Sequence, residues 1–233
     1  MTEFAFLPAQ QPSLAIAGSS SRFPVRRVFC VGRNYASHAI EMGSDPDREP
    51  PFFFMKPADA VVHAGGEIPY PPMTSDLHHE IELVVAIGGT GTDLTQAQAA
   101  SLIWGYGVGV DLTRRDLQAE AKKTGRPWDW GKGFDASAPC SPLIPAAKGK
   151  PVGDAPIWLK VNGAPRQAGA LNELIWSIDE IIVHISHSMA LRAGDLIFTG
   201  TPAGVGPLAP GDKVTAGIQG LAEIAFTMGA KPG

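Results

Sequence analysis

Glu80 and Glu82 stand two residues apart in the stretch DLHHEIELVVAIGG, residues 76–89. In an extended strand that spacing puts both carboxylates on one face, roughly 6.5–7 Å apart along the chain, within reach of one hard cation. Unpaired they repel, and beside the apolar run that follows they would sit at the rim of a buried sheet, where bare charge is costly. An exposed edge strand with a lysine partner satisfies the spacing as well, so the pair alone decides nothing. A third carboxylate adds weight: Asp111 ends the apolar run WGYGVGV directly before a helical pattern that begins at Thr113. Three oxygen donors without cysteine or a histidine set suggest Mg²⁺, Mn²⁺ or Ca²⁺ rather than Zn²⁺.

Other residues could serve the same centre. Arg115 and Gln118 are three apart, on one helix face, four and seven residues beyond Asp111, so both can approach whatever the cation holds. Arg114 and Asp116, rotated away, are expected at the solvated surface. His38 and Glu41, spaced i, i+3, match an imidazole oriented by a carboxylate as a general base, although an incidental surface pair has the same spacing. Lys132, between glycines in WDWGKGFD, is either confined and paired with an anion or an ordinary surface lysine. Thr199-Gly200-Thr201-Pro202 after DLIF could offer N–H and hydroxyl groups to an oxyanion. It is neither a Walker A loop nor a dinucleotide fingerprint. His78 and His79 are expected to order the glutamates rather than ligate, and His63, His184 and His187 to be structural.

The elements that must position these groups are mostly strands. With 27 glycines and 21 prolines in 233 residues, short apolar runs alternate with turns. Strands are predicted over 27–31, 51–55, 81–87, 106–111, 157–161 and 195–199, a type I′ hairpin at Asn162-Gly163, and a turn at Pro210-Gly211-Asp212. One helix is predicted from a capping box at Ser177 and Glu180 to a stop at Gly194, one from Thr113 to Gly125, and a shorter one after Thr95. The size and the 44% apolar content suit one large domain. A net charge of −4 with no basic run argues against nucleic acid or an anionic membrane as partner. An N-terminus without a basic start and broken by Pro8 and Pro12 reads as neither signal peptide nor anchor, so a cytoplasmic protein is expected, with Cys30 and Cys140 as buried free thiols.

In order along the chain, GRNYASHAIEMG, FFFMKP, LHHEIELVVAIG, GVDLTRRDLQ, WGKGFD and GDLIFTGTPAGVG resemble the fumarylacetoacetate hydrolase family, from about residue 25 to the end. The resemblance implies an α+β, β-rich fold: a mixed β-sandwich roll with a few helices and a short helical lid, forming a homodimer. Residues 1–24 would be an N-terminal extension and 25–233 a single catalytic domain. Carried over motif by motif, Glu80, Glu82 and Asp111 are implied as metal ligands, and His38 and Glu41 as the lid's catalytic pair. Lys132 and Gln118 complete the catalytic set, with Arg115 and Thr201 as substrate contacts; the implied substrate carboxylate could be bound by Arg115 or by Arg33. The animal enzyme that names the family has a further N-terminal domain and a further aspartate ligand with no counterpart placed here.

The implied chemistry is metal-dependent hydrolysis of a C–C bond in a small 2,4-dioxo acid. FPVRRVFCVGRNYASHAIEMGSDPDREPPFFFMKPADAVV with TRRDLQ looks most like the branch that splits fumarylpyruvate to fumarate and pyruvate in gentisate catabolism. Alternatives are acylpyruvate hydrolysis or oxaloacetate decarboxylation, isomerisation or hydration of an unsaturated 2-oxo acid, and a non-catalytic scaffold that binds metal or carboxylate.

Overall fold

The computed structural model describes residues 3–37, 49–148 and 153–232. A mixed eight-stranded sheet runs in the order Phe52–Lys56, Arg27–Gly32, Asp195–Phe198, Ile81–Ile87, Ile103–Val110, Ala138–Cys140, Val61–His63, with Ile144–Pro145 also paired to Ile103–Val110. Residues 57–60 alone join the strands at the two ends of that order, so the sheet must curl upon itself. A five-stranded sheet, ordered Ala164–Ala170, Pro156–Val161, Lys213–Ile218, Ala222–Met228, Glu67–Ile68, packs against one face of the curl.

The strand Ile81–Ile87 shows why its sequence is nearly all apolar. Ile81, Leu83, Val85 and Ile87 join the core shared with the five-stranded sheet, while Val84 and Ala86 join a second core with Val28, Cys30, Phe198 and Cys140. A strand buried on both faces needs no polar alternation. It is internal to the sheet and buried throughout, which removes the edge-strand reading of the glutamates. The hairpin Ser13–Ala15 with Arg22–Pro24 places Leu14 and Phe23 in the second core, so part of the segment set apart as an extension packs on the domain.

Two strands leave the curled sheet together. Leu77–His79, Thr113–Arg114 and Gly206–Leu208 form a separate three-stranded sheet, with Leu77–His79 at its centre. The chain therefore crosses between sheets at Glu80 and again at Asp111 and Leu112, and the Asp111 N–H donates to the Glu80 carbonyl at 2.8 Å across the crossing. A third route arrives through the parallel pair Arg27–Gly32 and Asp195–Phe198, whose C-terminal ends carry Arg33 and the Thr199-Gly200-Thr201 turn. Asp195 locks that pair: its buried carboxylate accepts from Arg26, from Arg27 through two nitrogens and from the Arg192 N–H.

Several expected boundaries move. Thr113 and Arg114 are strand, pairing with His78 and Leu77, and the helix is Arg115–Thr124, closed by Gly125 in the left-handed region. Arg114 is buried rather than solvated, its guanidinium 4.4 Å from the Phe134 ring centroid. Asp116 accepts from the Thr74 hydroxyl and the Ser75 N–H, tying down the preceding loop. The Ser177–Glu180 capping box forms, but its helix, Ile178–Ser188, ends six residues before Gly194, because Met189 is extended. Gly194 instead turns the chain into Asp195–Phe198 at φ 97°, where a Cβ would press on the Pro24 carbonyl. Asn162 and Gly163 both take positive φ, as a type I′ hairpin requires. His63 ends the strand Val61–His63. Both cysteines are free and buried.

Candidate metal centre and pocket

The crossing between sheets brings the three predicted carboxylates together. Glu80, Glu82 and Asp111 are buried, and one oxygen from each lies within 4.8 Å of the others. Lys132 ends the short helix Asp129–Lys132 and points into them: its Nζ donates to Glu80 Oε2 at 2.8 Å, Asp111 Oδ2 at 2.6 Å and Thr113 Oγ1 at 2.7 Å. All three ammonium protons are thereby used. Lys56 Nζ lies 2.8 Å from Asp111 Oδ1 but is aligned on the Leu112 and Lys132 carbonyls, so that carboxylate oxygen has a charge contact and no hydrogen bond.

Arg115 closes the cluster on the helix side. Its Nη2 lies 2.5 Å from Glu80 Oε1, and its Nη1 donates to Gln118 Oε1 at 2.6 Å, which leaves the Gln118 amide N–H groups as donors toward the cavity. Its Nε donates to His78 Nδ1, and His78 Nε2 meets Asp76 at 2.9 Å, so His78 is the neutral Nε2–H tautomer; burial and the Arg115 charge lower its pKa. His78 thus orders Arg115.

Charge is unevenly distributed here. Ion pairs reach Glu80 and Asp111, whereas Glu82 has none among the described residues and accepts one hydrogen bond, from the Gly200 N–H at 2.6 Å. Burial, then the Asp111 and Glu80 carboxylates, push the Glu82 pKa well above the usual carboxylate range. Burial opposes the Lys132 ammonium, but Asp111 and Glu80 outweigh it and raise its pKa. A divalent cation between these oxygens would offset the charge on Glu82, and an all-carboxylate donor set suits Mg²⁺ or Mn²⁺.

A second network supports the opposite wall. Gln167, buried in the five-stranded sheet, donates through Nε2 to Thr201 Oγ1 and the Pro202 carbonyl, both at 2.8 Å. Its Oε1 accepts from the Ile81 N–H at 3.1 Å and from His79 Nδ1 at 2.9 Å. Because Thr201 Oγ1 already accepts, its own proton is free to donate into the cavity. His79 is therefore an Nδ1–H tautomer behind the glutamates, as expected of an ordering residue. Gly200, at φ 100°, lies where a Cβ would collide with Asn34, whose Nδ2 holds the Thr199 carbonyl at 2.8 Å.

Arg33, Gln118, Lys122, Trp128 and Thr201 line the cavity that opens onto the carboxylates. Of the predicted site residues, Arg33, Glu80, Glu82, Asp111, Arg115, Gln118, Lys132 and Thr201 all meet there. His38 and Glu41 lie outside the described residues. Sequence reading missed Lys56, Thr113 and Gln167. Thr113 carried one signal, its place two residues after Asp111.

This curled-sheet fold, with three carboxylates at a sheet crossing, matches a known class of protein. Residues 27–228 match the model of the fumarylacetoacetate (FAA) hydrolase C-terminal family, and the chain belongs to that family. The chain is 50% identical to the fumarylpyruvate hydrolase of Pseudomonas aeruginosa, solved in complex with Mn²⁺ and pyruvate, at a TM-score of 0.95 over 98% of this chain and 100% of that one. It is 44% identical over 190 residues to the fumarylpyruvate hydrolase of a Ralstonia species, covering 81% of this chain and 98% of the relative. It is also 44% identical over 200 residues to a mitochondrial oxaloacetate tautomerase of Arabidopsis thaliana, covering 86% and 89%.

Proposed function

We propose that this protein hydrolyses the C–C bond of a 2,4-dioxo acid, with fumarylpyruvate, split to fumarate and pyruvate, as its substrate in aromatic catabolism. The observation that carries this reading is the buried Glu80–Glu82–Asp111 cluster, one member of which has no ion pair among the described residues, at the floor of a pocket walled by cations. Glu80, Glu82 and Asp111 would hold Mg²⁺ or Mn²⁺, which supplies positive charge at the pyruvyl end of the substrate.

The chain's own groups do the rest. Thr201, held as an acceptor by Gln167, donates its hydroxyl proton to a substrate carboxylate oxygen. Gln118, fixed through its carbonyl by Arg115, donates its amide to the 2-oxo oxygen where charge develops as the C–C bond breaks. Lys132 reaches the same oxygen only by exchanging one of its three present hydrogen bonds, most readily the neutral one to Thr113. His38, oriented by Glu41, takes a proton from the water that attacks the distal carbonyl; that assignment rests on sequence alone. The similarity to an oxaloacetate tautomerase supports one rival, proton transfer on oxaloacetate, which needs the same charge stabilisation but no attacking water.

A substrate panel separates the readings. Fumarylpyruvate, acetylpyruvate and oxaloacetate are offered with Mn²⁺ to wild type and His38→Ala, following loss of diketone absorbance and release of pyruvate. Fumarylpyruvate cleavage that drops at least a hundredfold in His38→Ala supports hydrolysis. Reaction with oxaloacetate alone contradicts it.

A further inference from the structure

Among the described residues, four cationic side chains line the cavity, and two of them are already engaged. Lys132 is bound to Glu80 and Asp111, and Arg115 to Glu80 and Gln118. Arg33 and Lys122 make no ion pair among the described residues; each rests on an aromatic ring instead. The Arg33 Cζ is 5.7 Å from the Phe52 centroid and the Lys122 Nζ 5.1 Å from that of Trp128. The two rings meet edge to face, 5.1 Å apart at 89°, so the cations sit on adjoining parts of one wall. Lys122 follows Arg115 and Gln118 by seven and four residues, on the same helix face. Arg33 is held in the left-handed region at φ 57°, a conformation uncommon for a non-glycine residue, at the end of its strand.

We propose that Arg33 and Lys122, seated on Phe52 and Trp128, form an anion subsite for a second, distal carboxylate of the substrate, selecting dicarboxylic 2,4-dioxo acids over those with a neutral tail. The inference rests on the proposed hydrolase reading for the identity of the substrate, and on wall geometry for the subsite itself. A carboxylate between two half-buried cations gains charge-assisted hydrogen bonds that a methyl group cannot make. The charges around Lys122 accord with this. Burial and the guanidinium groups of Arg115 and Arg33, with Lys132 behind them, lower its pKa to about 8, opposed by Glu80. Anion binding would relieve that repulsion.

The test is the ratio of kcat/KM for fumarylpyruvate to that for acetylpyruvate, in Mn²⁺, for wild type, Lys122→Met, Lys122→Arg and Arg33→Asn, the last chosen because asparagine tolerates positive φ. The ratio should fall at least tenfold in Lys122→Met and Arg33→Asn. It should also decline above pH 8 in wild type, as Lys122 loses its proton, and stay level in Lys122→Arg. An unchanged ratio in both neutral variants overturns the subsite. Should wild type cleave neither substrate, the hydrolase reading fails, and binding of fumarate against crotonate to the Mn²⁺-loaded protein decides the subsite alone. A tenfold preference for fumarate that Lys122→Met erases supports it, and equal affinities overturn it.

Discussion

Glu82 and Asp111 lie in one cluster but in opposite electrostatic circumstances, and their substitutions should diverge. Asp111 is contacted by Lys56 and Lys132, so Asp111→Asn leaves two buried ammonium groups undercompensated and should cost about 3–5 kcal/mol in denaturant unfolding. Glu82 has no ion pair among the described residues, and its pKa is raised on folding. A carboxyl group whose folded pKa exceeds its unfolded value destabilises the fold as pH rises above the unfolded pKa, because the folded state resists ionisation. Metal-free Glu82→Gln should therefore be more stable than metal-free wild type at pH 8, with the difference shrinking toward pH 4.5. A difference that grows on acidification would refute the assigned electrostatics. Both glutamates were legible in the sequence because a two-residue period fixes a face. Lys56 and Gln167 were not, since FFFMKP and PRQAG carry no spacing that relates them to a cluster formed only when distant strands pair.

Among the elements, the strand Ala164–Ala170 belongs to the sheet remote from the carboxylates, yet through Gln167 it holds both the Thr201 turn and the Ile81 N–H. Gln167→Leu removes those bonds and orphans buried donors, at a cost of about 1–3 kcal/mol. Its effect on catalysis should be a rise in KM larger than the fall in kcat, since the substrate carboxylate proposed to meet Thr201 is present in ground and transition states alike. Gln167→Glu, which can still accept from Ile81 but not donate to Thr201, should recover stability more than KM. Equal losses in both parameters for both variants would reduce Gln167 to packing. Capped helices and the Asn-Gly hairpin were readable because their signals are local. Thr113–Arg114 was not: a two-residue strand has no period, and its sequence joins smoothly onto the helix behind it.

At the scale of the whole molecule, the carboxylates sit where the curled sheet passes into the three-stranded one, and the residues around them come from all three larger sheets and two helices. The roll was legible through the family resemblance alone and not from periodicity, because it depends on pairing Arg27–Gly32 with Asp195–Phe198 across the length of the chain. A cation bound at such a crossing should stabilise the entire fold. At a hundred times its Kd, a ligand specific for the folded state contributes about 2.7 kcal/mol, hence a rise in Tm of about 5–11 °C for a chain of this size. Glu82→Gln should blunt that rise; an equal rise in the variant would place the ion elsewhere.

The most direct measurement is a titration of metal-stripped protein with Mn²⁺, following pyruvate release from fumarylpyruvate alongside ion binding in the same samples. Turnover should be absent without the ion, rise in proportion to occupancy of one site per chain, and fall at least a hundredfold in Glu82→Gln at equal Mn²⁺. Full turnover by the stripped protein, or activity that ignores occupancy, would contradict a metal-centred hydrolase built on Glu80, Glu82 and Asp111.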